Sequence, residues 1–117
     1  MAGEQHFPLK ANVIVSNSAL HHFHNPYRFW GALKKLGKTN CIHIHRDLIR
    51  PTSLEKAFEI KEKHLSNSPG ILKDDFYASL KASFTVEEVS QQIVDVGLSQ
   101  LEVFQVDELY FEIIGCI

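Results

Sequence analysis

The chain has 117 residues, of which 44% are hydrophobic and 22% charged, a globular composition with enough length for one core. The formal net charge is -2, so the sequence lacks the basic excess of nucleic-acid-binding proteins. No apolar run approaches the roughly 18 residues of a membrane span, and residues 1–10 lack the apolar core of a signal peptide. We expect a single domain over residues 1–117 that engages neither nucleic acid nor a membrane.

The cysteine content favours a reducing compartment. Cys41 and Cys116 are too few for a disulfide framework and are not spaced as in a zinc motif. The sequence therefore predicts a cytoplasmic protein with reduced thiols.

The first predicted elements are a strand and a helix. Residues 13–15 form a β-branched run that stops at a polar cluster, which indicates a buried strand over residues 11–16. Asn25 is a suitable N-cap, Pro26 suits the first helical position and Gly37 supplies an end. This pattern predicts a helix of about three turns.

A second strand and two helices follow. Residues 41–48 alternate between apolar and polar residues and are closed off by Pro51, which indicates a strand. Thr52 and Glu55 have the spacing of a capping box, which predicts the start of a helix at this point. A further helical pattern begins at Pro69.

The C-terminal region predicts one more helix and a hairpin. Thr85 and Glu88 form another capping box, and Gly97 ends the helix that it starts. The β-rich runs 101–106 and 110–116 are close enough for a hairpin. The predicted order is β-α-β-α-α-α-β-β, which is typical of the α/β fold class.

An ordered set of motifs resembles a known family. The motifs are VIVSNSALHHFHNP (residues 13–26), DLIRP (47–51), DFYASLKASFTVEEV (75–89) and Gly97-Leu98. Together they resemble the C-terminal half of class I S-adenosylmethionine-dependent methyltransferases, in particular the branch related to ubiquinone and menaquinone biosynthesis. The resemblance covers nearly the whole chain. It implies a partial Rossmann-like sheet with strand order 4-5-7-6, the last strand antiparallel and helices on the faces.

The sequence departs from that family at its start. The first half of such an enzyme carries a glycine-rich turn for the methionine part of the cofactor and an acidic residue for the ribose, and neither has a counterpart here. The 12 residues before Val13 leave no room for a preceding β-α unit. We therefore expect a truncated, split or incompletely read methyltransferase half that is inactive alone. By resemblance, Glu4 would lie near the adenine.

Polar residues follow the first predicted strand. Open α/β sheets bind ligands at the carboxyl ends of their strands. By resemblance, Ser16, Asn17 and Ser18 would line the cofactor S-adenosylmethionine, and His21 or His22 would accept a proton from the substrate. Alternatively, these side chains only turn the chain, cap it or pack.

Four other residues are candidates for contact with a small-molecule methyl acceptor. Asp47 ends the second strand at the same edge and Arg50 lies beyond it, where a structural salt bridge or a turn is at least as good an interpretation. Phe76 and Tyr77 open the helical segment that, by resemblance, helps to cover the acceptor. Core packing explains Phe76 equally well.

Histidine is over-represented, with seven residues in the chain. His43 and His45 would share one face of a strand, where two imidazoles are able to bind a metal. No CxxC, HExxH or carboxylate cluster completes such a ligand set, so we assign no metal site and keep a metal-binding module as a third hypothesis. The alternatives are packed histidines on a half-buried face or a less buried strand.

A different class of function follows from the sheet order. Residues 11–16 would form a free sheet edge, which invites pairing with another strand. The alternative hypothesis is therefore a non-enzymatic interaction protein or scaffold, associating with itself or with an N-terminal half through this edge. The same topology predicts that Cys41 and Cys116 are neighbours across an antiparallel strand pair.

Overall fold

The computed structural model describes residues 10–117, and its elements follow the predicted order. They are β1 (Ala11–Asn17), a 3₁₀ turn (Leu20–His22), α1 (Pro26–Leu36), β2 (Gly37–Leu48), α2 (Leu54–Leu65), α3 (Gly70–Ala82), α4 (Val86–Asp95), β3 (Glu102–Gln105) and β4 (Tyr110–Cys116). Glu4 lies outside the described residues. Among residues 10–117, no helix has both the length and the apolar character that crossing a bilayer requires.

The four strands form one mixed sheet with the order β1-β2-β4-β3. β1 pairs with β2 in parallel, whereas β4 is antiparallel to both of its neighbours. The predicted α/β class and the partial sheet with an antiparallel last strand are therefore confirmed. The parallel pair brings the carboxyl ends of β1 and β2 to the same edge of the sheet.

The junction between α1 and β2 contains no loop. The Asn25 side chain accepts a hydrogen bond from the Tyr27 amide at 3.0 Å, which caps α1 at its predicted start. At the other end, the chain passes at Gly37 directly into β2, four residues earlier than predicted. The pairing with β1 is irregular there, and Asn40 has a left-handed φ of 64°. Because of that irregularity, residues 37–40 lack the alternation of apolar and polar residues from which the strand was predicted.

Of the two predicted capping boxes, the structure confirms one. In α4, Thr85 and Glu88 make both hydrogen bonds of a capping box, as predicted. In α2, the capping side chain is Ser53, whose hydroxyl accepts from the Lys56 amide at 3.0 Å, so the prediction of Thr52 as cap is wrong by one residue. Two adjacent hydroxyl residues offer the same chemistry, and the sequence pattern does not distinguish them.

The predicted end of α4 is confirmed. Gly97 has a φ of 75°, a left-handed conformation that favours glycine, and the Leu98 amide donates to the Ile93 carbonyl at 2.9 Å. Leu98 is buried. Its side chain therefore packs back on the helix that it follows.

One face of the sheet is covered by α1 and α4. The buried residues of this first core are Leu20, Phe29, Trp30, Leu33, Val89, Ile93, Leu98, Leu101, Phe111 and Ile113. Burying an aliphatic or aromatic side chain of this size stabilises the fold by about 1.5–3 kcal/mol. This core fixes the position of the turn that follows β1, because Leu20 belongs to it.

A second, smaller core joins α2 and α3 to the ends of β2 and β4. It consists of the buried residues Leu48, Ala57, Ile60 and Leu80. Phe76, Tyr77, Leu109 and Tyr110 are half-buried against it. This core places α3 near the carboxyl edge of the sheet, where it also contacts the 3₁₀ turn.

The rest of the second sheet face is bare among the described residues. Five aliphatic side chains on it are between 38% and 66% exposed: Val13, Val15, Ile42, Ile44 and Ile114. They are neighbours in the strand register. The Cα radius of gyration is 16.0 Å, larger than the roughly 13 Å of a compact domain of about this length. The molecule is thus elongated, with one sheet face covered by helices and the other largely open.

The two cysteines lie side by side in the sheet, as predicted. Cys116 pairs with Ile42, next to Cys41, and both thiols are free. Their side chains lie on opposite faces, since Cys41 is buried and Cys116 is exposed. Because the two side chains point to opposite faces of the sheet, Cys41 and Cys116 do not form a disulfide. Their proximity agrees with the predicted topology.

Candidate functional site

The candidate site lies where β1 and β2 end side by side. β1 ends at Asn17 and continues through Ser18 into the 3₁₀ turn, and Asp47 is the second-last residue of β2. The Ser18 amide donates to the Arg46 carbonyl at 2.9 Å, which extends the strand pairing to this edge. The structure therefore brings together predicted site residues that are far apart in sequence.

The most definite feature of this edge is a buried pair formed by His21 and Asp47. His21 Nδ1 lies 2.6 Å from Asp47 Oδ1, and the His21 backbone amide donates to Oδ2 at 3.1 Å. The Leu48 amide also donates to Oδ1, at 2.7 Å. With the two residues 8% and 3% exposed, the carboxylate is fully engaged within the protein. Asp47 thus fixes both the backbone and the ring of His21.

This pairing assigns the ring nitrogens of His21 when the imidazole is neutral. A carboxylate only accepts hydrogen bonds, so Nδ1 carries the proton and Nε2 keeps its lone pair. The ring of His22 packs on that of His21, with a centroid distance of 4.2 Å, and His22 is exposed. A histidine whose Nδ1 is held by a buried carboxylate has the arrangement of a general base.

The structure does not direct the three residues that were predicted to line the cofactor, Ser16, Asn17 and Ser18, to one place. Ser16 Oγ lies 2.7 Å from His45 Nδ1 and is directed into the protein. Ser18 donates from its hydroxyl to Asn17 Oδ1 at 3.2 Å, and its backbone is left-handed with a φ of 59°. Asn17 is exposed and Ser18 half-buried. Asn17 and Ser18 therefore lie at the edge, whereas the Ser16 hydroxyl is engaged elsewhere.

Ser16 begins a buried chain of polar side chains that runs beneath the sheet. His45 Nε2 lies 3.0 Å from His43 Nδ1, so the order is Ser16, His45, His43. The two histidines are 2% and 1% exposed, which overturns the interpretation of β2 as a less buried strand. Burial lowers the pKa of His43, and burial together with His43 lowers the pKa of His45 to about 4. Both rings are therefore neutral at neutral pH.

The two facing nitrogens of His43 and His45 are joined by a hydrogen bond, so they do not bind one metal ion together. A hydrogen bond between His43 and His45 requires one of the two facing nitrogens to carry a proton, and a protonated nitrogen is not a ligand. Within residues 10–117, no group of three or more His, Cys, Asp or Glu side chains is placed to hold a metal ion.

Arg50 is held by α4. Its guanidinium makes two bonds to the Glu88 carboxylate, both at 3.0 Å, and lowers the pKa of that carboxyl. This is the structural ion pair that the sequence left open as an alternative. Arg50 also lines a cleft of about 300 Å³ between the starts of α2 and α4, together with Thr52 and Thr85. A substrate contact at Arg50 stays a prediction.

Phe76 and Tyr77 lie on α3, in the second core. Both are half-buried, and the Tyr77 ring has the ammonium groups of Lys61 and Lys81 at 5.2 and 4.5 Å from its centroid. Because α3 contacts the 3₁₀ turn, this helix forms a side wall of the candidate site. The packing supports a structural role for both side chains, and their contact with an acceptor stays a prediction.

The fold has counterparts among solved structures, although no family model and no curated protein matches the sequence. The plantazolicin methyltransferase BpumL, in complex with a pentazolic desmethylPZN analog and SAH, is similar with a TM-score of 0.64 at 13% identity. The match covers 97% of this chain and 55% of that chain.

Two further matches agree. A SAM-dependent methyltransferase from Aquifex aeolicus has a TM-score of 0.56 at 17% identity, over 99% of this chain and 52% of that chain. The plantazolicin methyltransferase BamL, in complex with a triazolic desmethylPZN analog and SAH, has a TM-score of 0.58 at 14% identity, over 91% of this chain and 53% of that chain. The fold is that of part of a SAM-dependent methyltransferase. The chain spans about half the length of these structures.

The sequence identified residues that lie at the candidate site, but it did not show which of them are hydrogen-bonded to one another. Asp47 was assigned to the acceptor, whereas its carboxylate is occupied by His21 and Leu48. One signal was available in the sequence: both residues follow or end strands that were expected to be parallel neighbours. Ser16 and His45 were not predicted to pair, and the structure brings them together as Cα partners of the parallel strands.

Proposed function

We propose that this chain is the C-terminal half of a SAM-dependent methyltransferase and that it is inactive without a complementing half. The observation that carries the proposal is the His21–Asp47 pair at the carboxyl edge of a sheet with the fold of these enzymes. Ligands of open α/β sheets bind at this edge.

The fit to the cofactor is partial. Asn17 and Ser18 offer polar groups at the edge, and the matched BpumL and BamL structures contain SAH. No glycine follows β1 within the next dozen residues, so the glycine-rich turn of a cofactor site is not found after this strand. The described residues therefore supply one wall of a cofactor site, and the complementing half supplies the rest. Bound SAM would provide the methyl group that is transferred.

The role of this chain's own residues follows from the demands of methyl transfer. Most of the catalysis consists of holding the acceptor atom in line with the methyl group. Where the acceptor must lose a proton, Nε2 of His21 accepts it while Asp47 holds the ring in place. His22 lies beside this base and is open to solvent, so it is the second candidate for contact with the acceptor.

The acceptor is a small molecule that enters beside α3. This helix contacts the 3₁₀ turn that carries both histidines, so it borders the space above them. Phe76 and Tyr77 place aromatic surface on α3, and Arg50 lines the neighbouring cleft. BpumL and BamL hold desmethylPZN analogs together with SAH, which supports an acceptor beside the cofactor here as well.

Calorimetric titration of SAM tests the proposal. The isolated chain is expected to show no saturable binding, since residues 10–117 supply only one wall of the proposed cofactor site. Micromolar binding to the isolated chain would overturn the argument that a complementing half is needed. A fusion of this chain to the unmatched half of the Aquifex aeolicus methyltransferase is expected to bind SAM.

A matched pair of variants shows whether this chain contributes to binding in that fusion. Asn17→Ala at the carboxyl end of β1 is expected to weaken SAM binding about fivefold, the effect of one hydrogen bond of about 1 kcal/mol. Asn12→Ala is also exposed, near the opposite end of the same strand, and should leave binding unchanged. Equal binding by both variants would contradict the assignment of Asn17.

The thiols support a reducing environment for this function. Cys41 and Cys116 are both free and have side chains on opposite faces of the sheet. We therefore include a cytoplasmic location in the proposal. Thiol labelling of the native protein without prior reduction should modify the exposed Cys116.

A second candidate function is that of a non-enzymatic interaction protein that pairs through β1. The observation that favours it is the position of β1 at the end of the sheet, with no partner on its outer side among residues 10–117. Such an edge accepts an added strand. Under the first proposal, the same edge receives the complementing half at residues 11–16.

A further inference from the structure

The direction of the backbone groups shows what the β1 edge offers. The Ser18 amide points toward β2, where it donates to the Arg46 carbonyl. Amide directions alternate along a strand, so the amides of Ile14 and Ser16 also point inward. Those of Val13 and Val15 point outward, away from the sheet. Among residues 10–117, no strand pairs with the outward backbone donors and acceptors of these two valines.

The same two residues present exposed side chains. Val13 and Val15 are 51% and 66% exposed on the open face of the sheet. Natural edge strands are protected by a lysine, a proline, a bulge or an inward charge. Residues 11–17 read ANVIVSN and contain no charged residue and no proline. The strand is thus uncharged, apolar at its centre and accessible.

The sequence of β1 is nearly its own reverse. Ile14 is the central residue of Ala11–Asn17, with a valine on each side and a small polar residue beyond each valine. When this strand meets a second copy of itself in the antiparallel direction, valine faces valine and isoleucine faces isoleucine. No like charges are brought together. This self-complementarity favours a second copy of the chain over other strands as the partner.

We propose that two copies of this chain pair through β1 in an antiparallel arrangement with a two-fold axis at Ile14, forming a continuous sheet of eight strands. The proposal rests on the second candidate function and names its partner. In this register, Val13 lies opposite Val15 of the second copy. Both have outward backbone groups, so each such pair exchanges two hydrogen bonds, which gives four across the axis. The interface is isologous, as in most homodimers.

Site-specific disulfides test the register. In a Cys116→Ser background, a mixture of V13C and V15C chains is expected to cross-link under mild oxidation, because opposed residues in a hydrogen-bonded pair have Cα atoms about 5.5 Å apart. Either variant alone should cross-link far less, since like positions lie on a diagonal of roughly 7–8 Å. Cross-linking of V15C alone at the level of the mixture would overturn this register.

Sedimentation velocity over a range of concentrations tests the dimer itself. V15P removes an outward amide without removing a bond to β2, and it should raise the dimer dissociation constant about 30-fold through the loss of two hydrogen bonds. I44K places a charge on the same open face but one strand in from the edge, where no backbone group of the proposed interface lies, and should leave the dimer intact. A wild-type monomer at high concentration, or dissociation by I44K but not V15P, would overturn the proposal.

Hydrogen exchange separates this proposal from the function on which it rests. The amides of Val13 and Val15 should become protected only as concentration rises, whereas those of Ile14 and Ser16 are protected throughout. If the two valine amides stay unprotected at every concentration, the edge is free but is not used by a second copy, which overturns the proposal and leaves the interaction function standing. Protection of these amides in a monomer would show that the edge is already occupied within one chain, which overturns both. The SAM titration is independent of both results.

Discussion

His21 Nδ1 and Asp47 Oδ1 lie 2.6 Å apart, although the residues are 26 positions apart in sequence. The parallel pairing of β1 with β2 creates this contact, because it aligns the ends of the two strands. The pair is buried, and its other hydrogen bonds go to backbone amides. The same two side chains therefore contribute to the stability of the edge and to its proposed chemistry.

Replacing Asp47 with asparagine tests this link. The amide side chain of D47N would keep the shape but lose the charge that three donors share, and one of its two polar atoms would be a donor. We expect the free energy of unfolding to fall by about 2–3 kcal/mol, measured by urea denaturation. Nitrogen NMR of the His21 ring should also show loss of the Nδ1-protonated form.

The control for this variant is His22→Ala. His22 is the adjacent histidine and is exposed, so its removal should change the free energy of unfolding by less than about 0.5 kcal/mol. Equal stability of D47N and the wild type would show that the carboxylate does not hold His21.

The buried histidines predict a dependence of stability on pH. The pKa of His45 is about 4 in the folded chain, against an ordinary value of 6.5. Between these values the unfolded chain binds a proton that the folded chain does not, so stability falls as pH falls from 6.5 toward 4. The loss attributable to His45 reaches about 3 kcal/mol at the lower limit. The His43 pKa is lowered as well, which acts in the same direction.

Urea denaturation at several pH values across this range measures the effect. H45L is expected to be less stable at neutral pH but to show a much smaller loss of stability on acidification. H24Q alters an exposed histidine and should keep the pH dependence of the wild type. The same acid sensitivity in H45L and the wild type would rule out His45 as its source.

Local pattern predicted the elements because each has a local cause. The valine run predicts β1, the box of Thr85 and Glu88 predicts the start of α4, and Gly97 predicts its end, each from neighbouring residues, and the structure confirms these elements. The expected burial of β1 is wrong, because Val13 and Val15 lie exposed on the open face of the sheet. The start of β2 at Gly37 was missed since it depends on an irregular pairing with β1. The N-cap of α2 is Ser53 and not the predicted Thr52, because both neighbouring residues carry a hydroxyl that is able to cap a helix.

The candidate site was predicted only as a set of residues. His21 and Asp47 were candidates because they lie at the ends of strands that were predicted to be parallel. That the Asp47 carboxylate binds His21 is seen only from the distance between the two side chains in the structure. The sequence offered packed histidines on a half-buried face only as one of several interpretations of His43 and His45, because polar residues normally indicate an exposed strand. The structure confirms that interpretation. Their mutual hydrogen bond and that of Ser16 satisfy the polar groups and make burial tolerable.

A further prediction concerns the only tryptophan of the chain. Trp30 is fully buried, and its indole N–H donates to Gln92 Oε1 at 3.0 Å. Gln92→Met keeps the volume but leaves the indole N–H without an acceptor, which should lower the free energy of unfolding by about 1–3 kcal/mol. Gln91→Met alters the exposed neighbour and should change it by less than about 0.5 kcal/mol. Trp30 fluorescence during urea denaturation measures both, and equal midpoints would contradict the bond.

Two glycine-to-alanine changes are expected to have opposite signs. At Gly115 in β4, an added Cβ would lie 2.8 Å from the Gln100 carbonyl oxygen and 2.9 Å from the Leu101 Cα. Both are backbone atoms, so the segment before β3 must move, and we expect a loss of about 1–3 kcal/mol. At Gly31 in α1, no atom lies within 4 Å of the added Cβ.

Gly31→Ala should therefore stabilise the chain by about 0.5–1 kcal/mol, because alanine restricts the unfolded state and favours the helix. Thermal denaturation followed by circular dichroism compares the two variants directly. A lower melting temperature for G31A would mean that another part of the protein or a partner approaches α1 at that point. An unchanged melting temperature for G115A would show that β4 and residues 100–101 are not packed as closely as these distances require.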